Sequence, residues 1–138
     1  FAQGTLRVLG IPVHGSVDAL ALQMLAHMVD DLPVRIEIAA RPFVGHVAES
    51  VERSGAHVVC FANLPPQVSS RTQNLTRRLR QTLPALKVAV GRWSSSDFAD
   101  TGSDELVGVG ADHVGTTLAA TRDYLRACAL WQFTPDPE

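Results

Sequence analysis

The segment Leu6–Ala19, LRVLGIPVHGSVDA, decides how the chain is expected to fold. Its apolar first part, Leu6–Val13, is typical of a strand that is covered on both faces of a parallel sheet. His14, Gly15 and Ser16 interrupt this run, and Ser16 is a favourable residue to cap a helix. The residues behind them carry an apolar stripe at helical spacing, made of Leu20, Met24, Leu25, Met28 and Val29. A strand that turns directly into a helix is the building unit of parallel α/β sheets.

The same alternation continues along the chain. Further strands are predicted at Val34–Ala40, Ala56–Ala62, Lys87–Val90 and Leu106–Val109. Helices are predicted at Phe43–Ser54, between Ser69 and Leu83, and behind His113, while the polar stretch Ser94–Glu105 suits a loop or a weak helix. Five strands with short helical connections predict one α/β domain over residues 1–138, with a core at about 6–132 and a frayed tail at 133–138. The expected architecture is a doubly wound, five-stranded parallel sheet in the flavodoxin-like order 2-1-3-4-5.

Composition narrows the class of protein. The 138 residues are 46% hydrophobic and 19% charged, with a net charge of -2, so we expect a globular domain that does not bind nucleic acid. No apolar run approaches the roughly 20 residues that span a bilayer. Cys60 and Cys128 lack metal-site spacing, which predicts free thiols and a cytoplasmic location. Because the chain begins with Phe1 rather than Met, we expect it to be either an excised domain of a longer protein or a processed product.

A candidate site follows from the predicted topology. In an open parallel sheet, the turns behind the strands meet at one edge, and ligands bind there. The residues expected at this edge are His14, Gly15, Ser16, Asn63, Leu64, Gly91, Arg92, Trp93, Gly110, Asp112 and His113. Structural roles remain open beside the binding role. Asn63 suits a turn, Asp112 suits the cap of the last helix, and His14 suits a solvated turn.

Several chemistries known on this fold lack their residues here. A phospho-receiver needs acidic residues after the first strand and an Asp after the third, where this chain has Pro12-Val13-His14 and Ala62-Asn63. A phosphate-binding glycine-rich loop and a dinucleotide fingerprint are also missing after the first strand. No catalytic set is therefore predicted, and we expect a non-enzymatic domain. The enzymatic alternative would use His14 and His113 as acid and base.

The predicted turns resemble those of the cobalamin-binding module of methionine synthase-type and mutase-type proteins. Pro12–Val17, PVHGSV, corresponds to the family's D-x-H-x-x-G, and Ala62-Asn63-Leu64 corresponds to its Ser-x-Leu. Gly91-Arg92 stands at its Gly-Gly turn, and Gly110-Ala111-Asp112 matches its G-A-D. The resemblance spans Leu6 to about Leu130 and implies the same fold. It also implies a cobalamin site in which His14 would be the lower axial cobalt ligand and hence a metal ligand.

The departures from that pattern fall at the cofactor. The family's Asp, which orients the ligand His, is replaced by Pro12, and loss of such a partner typically weakens a metal site 10–100-fold. Val17 and Arg92 replace glycines that the resemblance places beside the nucleotide tail of cobalamin. The resemblance therefore predicts a cobalamin-binding-like domain that has no cofactor and acts in regulation or interaction. The alternative is a functional cobalamin module that uses His14.

A second resemblance concerns three segments, LALQMLAHMVDD (20–31), FANLPPQ (61–67) and TRRLRQTLPALKVAVGRW (76–93). They are similar to the degenerate cobalamin-binding-like domain at the cytoplasmic C-terminus of permeases of the autoinducer-2 exporter family. This resemblance implies the soluble part of a membrane transport protein, attached to a membrane domain outside this chain. The expected partner is an unidentified small molecule or protein. A homodimer is also expected, through the edge strand Val34–Ala40 or through the tail helix with Trp131 and Phe133.

Overall fold

The computed structural model describes residues 4–39, 47–65, 68–94 and 103–133. Strands and helices alternate along the whole of this part of the chain. The strands are β1 (Leu6–Pro12), β2 (Val34–Ile38), β3 (Val58–Ala62), β4 (Lys87–Gly91) and β5 (His113–Gly115). The helices are α1 (Ser16–Met28), α2 (Val47–Ser54), α3 (Ser70–Thr82), α4 (Ser103–Gly108) and α5 (Leu118–Phe133).

The five strands form one parallel sheet in the order β2-β1-β3-β4-β5. Val8 in β1 lies opposite Val58 in β3, and Val59 in β3 lies opposite Val88 in β4. This confirms the flavodoxin-like prediction, including the position of β2 at an edge. Exposed Arg35 and Glu37 on β2 are typical of an edge strand, because charged side chains discourage pairing with another chain.

Helices cover both faces of the sheet, so the apolar strands are buried on two sides. One apolar layer joins alternate strand residues to α1 and α5, and it includes Leu22, Leu25 and Leu125. The other layer joins the remaining strand residues to α2, α3 and α4, and it includes Val51, Leu79 and Leu106. The continuous apolar runs of β1, β3 and β4 are explained by this burial on both faces.

The predicted fifth strand at Leu106–Val109 is wrong. Leu106 belongs to α4, and the fifth strand is the short β5 that begins at His113. A run of four apolar residues has no detectable period, so the sequence cannot distinguish a strand from a short helix with one buried side chain. Asp104 and Glu105 give α4 an acidic first turn, which its helix dipole favours.

Other element boundaries differ by a few residues. The prediction that Ser16 caps α1 is wrong, because Ser16 is the first residue of the helix. The cap is Gly15, whose φ of 141° favours glycine, and no side chain caps this helix. The beginning of the predicted helix Phe43–Ser54, the last residue of the predicted strand Val34–Ala40 and the residues 95–102 of the polar stretch lie outside the described residues. So does the tail at 134–138.

Both cysteines are free thiols, Cys60 buried within β3 and Cys128 half-buried on α5. Within the described residues, no helix combines the length and the apolar character that crossing a membrane requires.

Candidate functional site

Residues that follow β1, β3 and β4 meet at one edge of the sheet, which we call the carboxyl rim. Backbone hydrogen bonds continue past the strand ends, from Val13 N to Ala62 O (3.1 Å), from Asn63 N to Gly91 O (2.9 Å) and from Arg92 N to Gly115 O (2.9 Å). The turns are therefore held beside one another. His14, Asn63 and Arg92 follow strands whose ends are adjacent, as their positions in the sequence predict.

The carboxylate of Asp18 ties two of these turns to α1. Its Oδ2 accepts from His14 N at 2.8 Å, and its Oδ1 accepts from Leu64 N at 3.1 Å. Asp18 is only 3% exposed, although it lies in the first turn of a helix beside the rim. Asp18 was not among the residues that the sequence predicted for the site. The sequence signal for it was an acidic residue three positions after Gly15, in the first turn of the predicted helix.

Asn63 is fully buried and faces both α3 and β4. In the amide orientation that gives every contact a donor and an acceptor, Nδ2 donates to Thr72 Oγ1 at 2.6 Å and to Val68 O at 3.3 Å. In the same orientation Oδ1 accepts from Arg92 Nη1 at 3.0 Å. Arg92 Nη1 also lies 3.1 Å from Asn63 O. Asn63 therefore joins two elements, which goes beyond the turn role considered for it. Thr72 and Val68 are further residues that the sequence analysis did not assign to the rim.

Arg92 is 4% exposed, so its guanidinium lies inside the rim rather than in solvent. Desolvation by burial lowers its pKa from the usual value, and the negative charge of Asp18 acts in the opposite direction. An arginine keeps its charge under these conditions. The buried cation therefore has both hydrogen-bond acceptors and a carboxylate within the protein.

Trp93 fills the space beside Gly91. A Cβ atom at Gly91 would overlap the indole ring, and the indole Nε1 donates to Thr121 Oγ1 of α5 at 2.9 Å. Trp93 is buried, so it closes the edge of the core and offers no open stacking surface. The requirement for glycine at position 91 thus comes from the chain's own tryptophan.

His14 is exposed and borders a shallow cavity of about 300 Å³ together with Gly15, Ser16 and Leu64. Its Nε2 lies 3.2 Å from Val68 O. Because a carbonyl oxygen can only accept, Nε2 carries the proton in this contact and has no lone pair for a metal. The described residues include no group of three or more His, Cys, Asp or Glu side chains placed to hold a metal ion.

The prediction that Gly110 and Asp112 lie on the carboxyl rim is wrong. Both precede β5, so they lie at the opposite, amino-terminal end of the sheet. Asp112 pairs with Arg80 of α3 and accepts from Val88 N at 2.8 Å, so it does not cap α5. Gly110 has a φ of 117°, and its carbonyl accepts from Arg80 Nε at 2.7 Å. The Gly-Ala-Asp segment therefore makes a structural turn at that end.

The structure does not bring His14 and His113 together. His113 opens β5, where its ring stacks on Tyr124 with 4.5 Å between the centroids and its Nε2 lies 3.3 Å from Thr121 Oγ1. Two strands separate β1 from β5 in the sheet. At the usual strand spacing their axes are about 14 Å apart. An acid–base pair made of these two histidines does not fit this geometry.

No protein-family model matches the sequence, and no curated protein matches it. The fold is similar to that of a protein described as pilus assembly-related from Burkholderia pseudomallei, at 20% identity and a TM-score of 0.62, over 92% of this chain and 91% of that one. It is also similar to HP1043, an orphan response regulator of H. pylori, at 14% identity and a TM-score of 0.64, over 91% and 97% of the two chains.

A cobalamin-binding protein from Desulfitobacterium hafniense is similar at 15% identity and a TM-score of 0.63, over 88% of this chain and 58% of that one. Several other similar structures are response regulators or receiver domains. At these identities the similarity shows the flavodoxin-like α/β fold.

Proposed function

We propose that this chain is a non-enzymatic regulatory or interaction domain whose carboxyl rim takes neither cobalamin nor a phosphoryl group. One observation carries the proposal: the polar groups of the rim bind one another. The Asp18 carboxylate accepts from the turns after β1 and β3. The Asn63 side chain connects α3 to Arg92, and the buried Arg92 guanidinium also experiences the negative charge of Asp18. Groups that are already paired and buried are costly to release for a ligand.

Phosphotransfer lacks its reacting group at this rim. The residue after β3 is Asn63, whose carboxamide cannot accept a phosphoryl group as a carboxylate does, and the turn between β1 and α1, Val13-His14-Gly15, carries no acid. The nearby carboxylate of Asp18 accepts two backbone N–H groups, so it is not free to hold Mg²⁺. These arguments support signalling through contact with a partner, without phosphorylation.

Cobalamin binding is opposed by two features of the same rim. The indole of Trp93 occupies the space beside Gly91, where the resemblance places the nucleotide tail of the cofactor. His14 uses Nε2 to donate to Val68 O and has Pro12 where the family has an orienting Asp. The alternative function, a cobalamin module with His14 as axial ligand, needs both features to rearrange.

The test is a titration of the purified domain with hydroxocobalamin, followed by its visible spectrum, and a parallel incubation with acetyl phosphate and Mg²⁺, followed by mass spectrometry. We expect no spectral shift at a large excess of cofactor and no added phosphoryl group. A saturable shift overturns the proposal, and its loss in His14→Ala would establish the cobalamin alternative. A stoichiometric phosphoryl adduct equally overturns it.

We further propose that the domain forms a homodimer, and that it does so through the outer face of α1 in place of the edge strand or the tail helix that the sequence predicted. Val17, Leu20 and Met24 lie at positions that share one helix face, and each is more than half exposed. Helix α1 has two acidic or basic side chains, Asp18 and His27, and Asp18 is buried. Two copies of this uncharged apolar face can therefore meet without like-charge repulsion.

Sedimentation velocity tests the homodimer. We expect a concentration-dependent dimer that is lost in Leu20→Glu and kept in Gln23→Glu, which adds the same charge at an exposed neighbouring position. A monomer at all concentrations, or equal loss in both variants, contradicts this interface.

We also propose that the domain belongs to a membrane transport protein and works on the cytoplasmic side. The support is the resemblance of Leu64-Pro65-Pro66 and Gly91-Arg92-Trp93 to the permease-associated domain, together with two unpaired cysteines. The coding sequence on either side of this segment tests the attachment. An adjoining membrane region is expected, and flanking sequence without one contradicts the proposal.

A further inference from the structure

A second cavity, of about 520 Å³, opens at the amino-terminal end of the sheet, on the side opposite to the carboxyl rim. Its base is formed by the first residues of the three central strands, Leu6, Val58 and Lys87. Its other wall is formed by α5 from Tyr124 onward, with Tyr124, Cys128 and Trp131. This volume is within the range of small-molecule sites, and most of the wall is apolar.

The cation in this cavity is Lys87, the only lysine of the sequence. It is half-buried, and its Nζ lies 5.2 Å from the centre of the Trp131 ring. Within the described part of the chain, no carboxylate forms an ion pair with Lys87, and the nearby Asp112 is paired with Arg80. An ammonium that faces an aromatic ring and has no carboxylate partner among the described residues has capacity left for an anionic ligand.

His57 and Gln132 also line the cavity, together with Tyr124 and Cys128. Burial raises the pKa of the Tyr124 phenol and of the Cys128 thiol, so both groups are neutral near pH 7. Neither group competes with a ligand for the charge of Lys87 near neutral pH. The Tyr124 ring is held by stacking on His113. Trp131 is 72% exposed, so its ring presents a flat surface at the mouth.

We propose that this amino-end cavity binds a small aromatic carboxylate. The carboxylate pairs with Lys87, and the ring lies between the Trp131 face and the apolar base made by Leu6 and Val58. One ammonium group with apolar walls suits a singly charged organic anion. A phosphate is held best by several converging charged donors, and Lys87 is the only lysine or arginine among the residues that line this cavity. This site is independent of the function proposed for the carboxyl rim.

The two tryptophans provide a direct test, because Trp131 is at the cavity and Trp93 is at the carboxyl rim. An isotope-labelled sample is titrated with naphthalene-2-carboxylate while the two indole N–H signals are followed by NMR. We expect a saturable shift of the Trp131 signal with a Kd of about 1 mM or tighter, and no shift of the Trp93 signal. The neutral analogue naphthalene-2-methanol is expected to bind about tenfold or more weakly.

Variants of Lys87 distinguish specific binding of the carboxylate from non-specific apolar binding. Lys87→Met keeps the apolar stem and is expected to weaken naphthalene-2-carboxylate at least about tenfold, whereas Lys87→Arg retains binding. Arg126→Met removes a positive charge from an exposed position of α5 outside the cavity and should leave the affinity unchanged. An unshifted Trp93 signal in each variant verifies that the fold is intact.

The proposal is overturned if the Trp131 signal does not shift saturably, if the neutral alcohol binds as tightly as the carboxylate, or if Lys87→Met binds as well as the wild type. A shift at Trp93 in place of Trp131 would move the site to the carboxyl rim and also overturns it. The cobalamin and phosphorylation experiments test the carboxyl rim, at the other end of the sheet. Failure of the carboxylate-binding proposal is therefore distinguishable from failure of the function proposed for the rim.

Discussion

The indole ring of Trp93 lies against the α-carbon of Gly91, so closely that any side chain at position 91 would overlap it. Gly91 ends β4, and Trp93 reaches back over it to donate to Thr121 on α5. A tryptophan two residues behind a strand thereby packs on that strand's last residue and fills the edge of the core. This one contact determines how much room the carboxyl rim has.

Gly91→Ala should destabilise the protein, because the buried ring that the new Cβ meets cannot move aside without repacking. We expect a loss of about 1–3 kcal/mol in the free energy of unfolding, measured by urea denaturation. Gly108→Ala is the matched control, since a Cβ at this exposed position of α4 meets nothing within 4 Å. Equal effects of the two substitutions would contradict the proposed contact.

Thr72 and Thr76 are buried one turn apart on α3, and their substitution by valine is expected to change the free energy of unfolding in different ways. Thr72 Oγ1 lies 2.6 Å from the Asn63 side chain, so Thr72→Val leaves a buried partner unsatisfied and should cost about 1–3 kcal/mol. Among the described residues, Thr76 Oγ1 is buried without a hydrogen-bond partner, so Thr76→Val should be neutral or stabilising. Urea unfolding of both variants measures the difference, and a reversed order refutes the assignment.

Asp18→Asn tests whether the carboxylate holds the rim together. An amide has one acceptor oxygen, so its NH2 group must face either the His14 or the Leu64 backbone N–H, and the buried Arg92 loses a nearby negative charge. We expect a loss of about 1–3 kcal/mol in the free energy of unfolding. Asp30→Asn, at an exposed position behind α1, should change it by less than about 0.5 kcal/mol.

A dependence of stability on pH is expected from His113. Burial lowers the pKa of its imidazole below the usual 6.5, so as the pH falls the unfolded chain takes up a proton before the folded protein does. The stability that neutral His113 contributes is therefore present above about pH 6.5 and lost as the pH falls through the folded-state pKa.

His113→Phe keeps an aromatic ring against Tyr124 and should flatten the fall in urea midpoint between about pH 7 and pH 5. His27→Gln, at an exposed position in the last turn of α1, is the control and should leave the slope unchanged. A slope that is identical in wild type and His113→Phe would assign the pH dependence to other groups.

The amino-acid sequence by itself determined the order of elements through β4, the burial of β1, β3 and β4, and the edge position of β2. These properties follow from local periodicity and from the apolar run of each strand, which adjacent residues encode. It also determined that the turns behind β1, β3 and β4 share one edge, because parallel strands with helical crossovers leave no other arrangement.

Only the tertiary structure decided what those turns do. The carboxylate of Asp18 meets Leu64 N across 46 residues, and Trp93 meets Thr121 across 28, so no local pattern records either contact. The position of β5 also depended on tertiary contacts, because three residues are too few to show a period. Since the fifth strand was predicted too early in the chain, Gly110 and Asp112 were predicted at the carboxyl rim and not at the amino-terminal end of the sheet. The turn at His14 marks the carboxyl rim in the sequence, but packing between distant residues determines that the rim is filled.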